Sequence, residues 1–107
     1  MRRWDIYWAE CPFEDDSSKS KLRPVLVLKP GEVYVLSLKM TSHQVRENDD
    51  FDYALQHWRE VNLYCETVVR VGKLSQIPLD AFHEYIGRIH ADHAIQIIAM
   101  MKRRLTN

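Results

Sequence analysis

The sequence predicts a mainly β protein with a C-terminal α-helix: a small, partly closed barrel that the helix caps. Three observations carry that reading. Short segments with period-two alternation recur between polar or Pro/Gly punctuation from Trp4 to about Ile89. One of them, Leu22-Arg23-Pro24-Val25-Leu26-Val27-Leu28, is apolar throughout its second half, as a strand covered on both faces would be. From Ala91 onward the apolar period becomes helical. At 107 residues the chain fits one domain, 1–107, with a modest core.

Taken in order, Trp4 to Ala9 alternates Trp4, Ile6 and Trp8 against Asp5 and Tyr7, a short strand. Glu10 to Lys21 is polar and reads as a long surface loop, a length that often serves as a lid or binding loop. The Arg23–Leu28 strand follows, and Pro30-Gly31 turns it back into an antiparallel partner, Val33 to Met40. In that partner Tyr34, Leu36, Leu38 and Met40 are expected to face the core. It ends in Thr41-Ser42-His43, three polar side chains in succession, before a second polar loop from Gln44 to Asp50.

Phe51 to Gln56 and Cys65 to Val71 read as further strands, joined through one helical turn in His57–Leu63. Gly72 is expected to end the second of these. A short strand from Lys73 to Gln76, a turn or short helix at Leu79–Phe82 and a last strand at Tyr85–Ile89 complete the β part. In the helix, Ala94, Ile97, Ile98, Met101 and Leu105 form one apolar stripe. Asp92 in the first turn and Lys102-Arg103-Arg104 in the last complement its dipole. Ile95, Ala99 and Met100 widen the stripe, as a helix that covers a core and also meets a partner would show.

Fifteen basic and fifteen acidic side chains balance, which argues against a protein that coats duplex nucleic acid non-specifically. The charges are nevertheless clustered: Lys19, Lys21 and Arg23 form one basic group and Glu47 to Asp50 an acidic one. No run is long enough to span a membrane and no apolar leader precedes the first strand, so a cytoplasmic protein is expected. Cys11 and Cys65 are then reduced structural thiols rather than a disulfide. His90 and His93 come near ligand spacing, but without a third ligand they read as surface histidines at a helix start, and no metal site or cofactor is expected.

The residues that could carry chemistry gather at one end of the hairpin. In an antiparallel pair joined by a tight turn, the start of the first strand lies opposite the end of the second. Arg23 and Thr41-Ser42 therefore lie near one another beside polar loops. A guanidinium presents a planar fork to phosphate, and hydroxyls can bind the remaining oxygens. Spacing alone favours the plainer account, an arginine that satisfies loop carbonyls beside an ordinary strand-end threonine. Arg70 matters only if its face is the one Arg23 occupies. His43 is the one side chain beside this group whose ordinary pKa lies near neutrality.

Asp5-Ile6-Tyr7-Trp8-Ala9, Pro12-Phe13-Glu14-Asp15, Lys21 to Leu28, Leu38-Lys39-Met40-Thr41-Ser42, the Trp58 segment, Val68-Val69-Arg70 and Ile86-Gly87-Arg88-Ile89 together resemble MazF/PemK-type toxins, in order and over almost the whole chain. The resemblance implies an SH3-like or CcdB-like barrel with a C-terminal helix, assembled as a homodimer and neutralised by a cognate antitoxin protein. It implies a metal-independent endoribonuclease of a type II toxin–antitoxin module. Such an enzyme cleaves single-stranded RNA, often messenger RNA, by attack of the 2′-hydroxyl on the adjacent phosphate, leaving 2′,3′-cyclic phosphate and 5′-hydroxyl ends.

The family's catalytic arginine and threonine map onto Arg23 and Thr41, and the second arginine of PemK-like members onto Arg70. Ser42 and His43 are supporting or proton-transfer candidates, and Lys19, Lys21, Trp8 and Trp58 candidates for binding RNA, with Tyr53 a further aromatic. An arginine is a poor general base at its ordinary pKa, so stabilising charge is the role its chemistry supports. The chain departs from the family pattern in three places. Asp15 to Ser20 contains no histidine, Val71-Gly72-Lys73 supplies no acid after Arg70, and Trp4 stands where a glycine is usual. The alternative is a relative of the same fold that acts by binding, as a CcdB-like gyrase poison or a nucleic-acid or protein-binding module. The Trp-Gly-x-Phe-like ending of the gyrase poisons is absent.

Overall fold

The computed structural model describes residues 1–13, 16, 18–42 and 51–106. The strands are β1 (Asp5–Pro12), β2 (Ser20–Lys29), β3 (Tyr34–Thr41), β4 (Asp52–Leu55), β5 (Thr67–Pro78) and β6 (Phe82–Arg88). A single helix, α1 (Ala91–Thr106), follows, and short 3-10 helices occupy Trp58–Val61 and Leu79–Ala81. All six strands form one antiparallel sheet in the order β4-β5-β3-β2-β1-β6. The mainly β fold with one terminal helix is as the sequence predicts.

The sheet does not close by hydrogen bonding, but it curls. Leu55 of edge strand β4 and Ile86 of edge strand β6 belong to one buried cluster with Ile6, Leu26, Met40 and Ile97. Strands at opposite edges can share a core only if the sheet wraps around it, as strongly twisted sheets do. On its other face Val25 joins Ala9, Cys11 and Ile77 in a second, smaller cluster. β2 is thus covered on both sides, and Val25 to Leu28 are all buried.

Several boundaries differ from the sequence expectation. β1 and β2 run into the segment read as a loop, with Cys11 paired to Lys21 and Pro12 to Ser20. Exposed polar side chains there disguise backbone that is fully paired. Gly72 does not end a strand: β5 is continuous, and the irregularity shows as a register shift in which two steps along β3, from Leu38 to Met40, match five along β5. Tyr34 is exposed, whereas Val35 and Ser37 on the opposite face are fully buried, because mid-β3 is covered on both sides.

The helix buries His93, Ala94 and Ile97 and packs half-buried Met100 and Met101 on the main core, while Leu105 is 81% exposed, so the apolar stripe leaves the core only in its last turn. His93 is therefore a buried histidine, contrary to its reading as a surface residue. Cys65 is exposed and Cys11 buried, both as free thiols. Among the described residues no helix is long and apolar enough to cross a membrane.

Two non-glycine residues among those described have positive φ. Trp4 has φ 78°, a left-handed conformation that favours glycine. The family resemblance implies glycine at this position. Here the backbone is held by Trp4 N–H donating to the Val27 carbonyl at 2.7 Å, with Arg3 lying over the indole. Asn62 also has positive φ, and its side-chain amide donates to the Ile86 carbonyl at 3.0 Å. A β-carbon on Gly87 would come within 2.6 Å of the Val61 carbonyl oxygen, so only glycine lets this turn seat against β6.

Candidate active site

The hairpin register does what the sequence spacing requires. Val25 pairs with Lys39 and Leu26 with Leu38, and two further steps place Thr41 across from Arg23. On the other side Arg23 pairs with Ala9, and Pro24 with Trp8. Met40 and Val69 pair and point into the main core. Alternation therefore puts Lys39, Thr41 and Arg70 on the opposite face, the face that Arg23 shares with Val25. Arg70 meets the condition the sequence set for it.

Two hollows meet at Arg23. The larger, about 290 Å³, is lined by Arg23, Lys21, Thr41, Ser42, Cys65 and Thr67 together with the apolar and aromatic Trp8, Leu22, Pro24, Met40, Leu63 and Tyr64. The smaller, about 190 Å³, is lined by Arg23, Lys39 and Arg70 with Pro12, Phe13 and Met40. Three cations around one small hollow form a site for an anion that needs charge on more than one side. Thr41 is buried at 9% exposure, which holds its side chain in one place beside the larger hollow.

Arg70 is itself oriented. Its Nε lies 3.6 Å from Oδ1 of Asp52, its cross-strand neighbour on β4, and the Asp52 side chain is 3% exposed. The acid missing after Arg70 in sequence thus has a counterpart in space. The register shift in β5 begins next to Arg70, and irregularities of this kind re-aim side chains near functional sites. Burial pushes the Cys11 thiol up despite the nearby positive charges of Lys39 and Arg23. That sulfur stays protonated beneath the cation group and is not a nucleophile.

Of the residues singled out from the sequence, Arg23, Thr41, Ser42, Lys21 and Trp8 line one hollow, and Arg70 lines the adjoining one. Trp58 lies elsewhere: it packs on the main core with the Arg59 guanidinium 4.9 Å from its ring centroid. Tyr53 is also away from the cations, its hydroxyl 2.6 Å from Nδ1 of His93. Lys19 is exposed and lines neither hollow, and His43 lies outside the described residues. Lys39, Asp52 and Tyr64 were not singled out. Lys39 could have been found from the hairpin count alone, being two residues before Thr41 and therefore on the same face.

A family model described as PemK-like, MazF-like toxin of type II toxin–antitoxin system matches residues 2–105. No curated protein matches in sequence. Among solved structures, the Mycobacterium tuberculosis toxin MazF-mt6 superposes with a TM-score of 0.74 at 21% identity, covering 95% of this chain and 96% of that one. An endoribonuclease from a mycobacterial species gives 0.75 at 13% identity over 99% and 91% of the two chains. A MazE–MazF structure from Deinococcus radiodurans gives 0.73 at 15% identity over 99% and 96%. At these identities the structural matches establish the fold, and the family match covers nearly every residue. The chain belongs to the PemK-like, MazF-like toxins of type II toxin–antitoxin systems.

Proposed function

We propose that this toxin is an endoribonuclease that cuts single-stranded RNA, with Arg23, Thr41 and Arg70 around the scissile phosphate. The observation that carries the reading is the meeting of a hydroxyl-lined hollow and a three-cation hollow at one arginine. In the step proposed, the 2′-oxygen attacks phosphorus and the bond to the 5′-oxygen breaks. A proton leaves the 2′-hydroxyl and another reaches the departing oxygen. The phosphoryl group carries extra negative charge in between, and Arg23 and Arg70 stand where fixed positive charge lowers that barrier. Thr41 and Ser42 orient the phosphoryl oxygens, and Asp52 keeps Arg70 aimed. His43, next along the chain from Ser42, is the proposed proton carrier, on the strength of its ordinary pKa.

The reading includes the rest of a type II toxin's setting: a homodimer, an antitoxin that covers the groove, and no metal in the chemical step. The test is incubation of a long messenger RNA with the toxin in EDTA, followed by mapping of 5′ ends and identification of terminal phosphates. Expected are discrete cuts with 5′-hydroxyl and 2′,3′-cyclic phosphate ends. Cleavage should fall about 100- to 1000-fold in Arg23→Ala, the scale seen on losing one transition-state charge stabiliser. Intact RNA together with growth arrest and DNA breaks would replace this reading with the gyrase-poison alternative.

A further inference from the structure

The proposed cleavage moves two protons, and one carrier does not reach both. In an in-line displacement the attacking and departing oxygens lie on opposite sides of phosphorus. Arg23 is common to both hollows, so a phosphate held there turns one of those oxygens toward the larger hollow and the other toward the smaller. His43 follows Ser42 in the chain, and Ser42 lines only the larger hollow. A carrier at that end serves one oxygen and leaves the other to the opposite side.

On that side the charged groups are Arg23, Lys39 and Arg70. Two of them are guanidiniums, which hold charge but do not release a proton. Lys39 is an ammonium, with three N–H donors on a flexible stem and a neutral amine form within reach. Strand β3 fixes its place: it pairs with Val25, lies two residues before Thr41 and is half-buried. It also borders a further hollow of about 330 Å³ with Cys11, Ser75 and Gln76. Among the described residues no carboxylate lines either hollow, so no acid of these walls competes for its protons. An alkoxide is a far stronger base than an amine, and a proton passing from an ammonium to a departing oxygen runs downhill. We propose that Lys39 is the general acid for the departing 5′-oxygen. As the bond from phosphorus to that oxygen breaks, its electron pair goes to the oxygen, an N–H bond of Lys39 breaks and an O–H bond forms. The amine left behind regains its proton from water. This rests on the RNA-cleavage reading and assigns the second of its two protons.

A short RNA spanning a mapped cut, made once with the natural 5′-oxygen and once with sulfur in its place at the scissile linkage, tests the role. Single-turnover rates are measured for the wild type, Lys39→Arg, Lys39→Met and Arg23→Ala. Sulfur departs as a thiolate and needs no proton. Lys39→Arg keeps the charge and Lys39→Met the length, and neither supplies the proton. Each should cut the ordinary RNA about 100-fold or more slower than the wild type, as loss of a general acid does, yet cut the sulfur substrate within about 10-fold of the wild-type rate. Arg23→Ala should be slow on both, because charge builds on the phosphoryl group whatever leaves. Fast cutting of the sulfur substrate also shows that the variants are folded. Ordinary RNA cut at the wild-type rate by either Lys39 variant overturns the assignment. So does an equal loss on both substrates in both variants, which would make Lys39 a fixed charge or a packing residue. If Arg23-dependent RNA cleavage stands beside either result, only the role of Lys39 falls; if the wild type cuts neither substrate, the cleavage reading falls with it.

Discussion

The two ends of this molecule treat polar groups in opposite ways. At the Arg23 end, the small hollow is lined by arginine and lysine without an acid among its described residues, and one buried carboxylate, Asp52, orients Arg70 from the side. Around the first turn of α1, a hollow of about 340 Å³ also collects titratable groups: Tyr53, His57, Glu60, His90, Asp92 and His93. There the groups pair off. Tyr53 and His93 share a 2.6 Å hydrogen bond, and His90 lies 3.3 Å from Glu60. Among the described residues no three such groups are placed to hold a metal ion. A polar cluster whose members satisfy one another ties β4 to the helix. A cluster biased to one sign has an affinity left over for something outside the chain.

That contrast can be broken from either side. The largest expected effect is in Thr41→Ala and Arg23→Ala, which should each lower RNA cleavage by two to three orders of magnitude, about the loss of one preorganised group. The thermal midpoint of Arg23→Ala should move little, since Arg23 is only half-buried. Asp52→Asn comes next and should affect both properties. It should cut activity by mis-aiming Arg70 and cost roughly 1–3 kcal/mol of stability, as loss of a charge-assisted contact from a buried carboxylate does. Urea melts beside cleavage rates would separate the two, and an Asp52→Asn toxin at wild-type rate would remove the orienting role.

At the helix end the expected effect is smaller and concerns pH. Burial, helped by His57 and His90, pushes the His93 imidazole below its ordinary value and outweighs Asp92 and Glu60. Burial and then Asp92 push the Tyr53 phenol up, so Tyr53 keeps its proton and donates it to Nδ1 of a neutral His93. The unfolded chain then binds a proton at His93 more readily than the folded one. Stability from this residue is present above its ordinary pKa and is lost as pH falls through the depressed folded value. The thermal midpoint should therefore drop between pH 7.5 and 5.5, and His93→Gln should flatten that drop. The smallest perturbation is chemical: one thiol per chain, Cys65, should react quickly with a thiol reagent while Cys11 reacts only on unfolding.

Much of the site was legible because it depends on local geometry. A tight hairpin fixes the register of its strands, so Arg23 and Thr41 could be brought together by counting. Asp52 could not, since its place beside Arg70 depends on pairing between β4 and β5, elements joined by no short turn. Nor could Tyr64, a loop tyrosine with no period to mark it. The fold divides in the same way. Runs such as Val25–Leu28 and the stripe beginning at Ala94 declared themselves through hydrophobic pattern. The ends of β1 and β2 and the continuity of β5 across Gly72 did not, because backbone pairing there carries exposed side chains of every kind. The MazF/PemK resemblance supplied what pattern could not: a reason to prefer a phosphate site to a plain strand-end arginine.

The pairing of β1 with β6 has a consequence in time. Asp5 pairs with Arg88 across the sheet edge, with a side-chain contact of 3.1 Å, so the first strand made waits for nearly the last one before its outer flank is covered. Arg70 and Asp52 also arrive long after Arg23. Contacts this distant along the chain make folding slow and late. Until β6 is made, the outer flank of β1 and the Asp5–Arg88 contact therefore stay unformed.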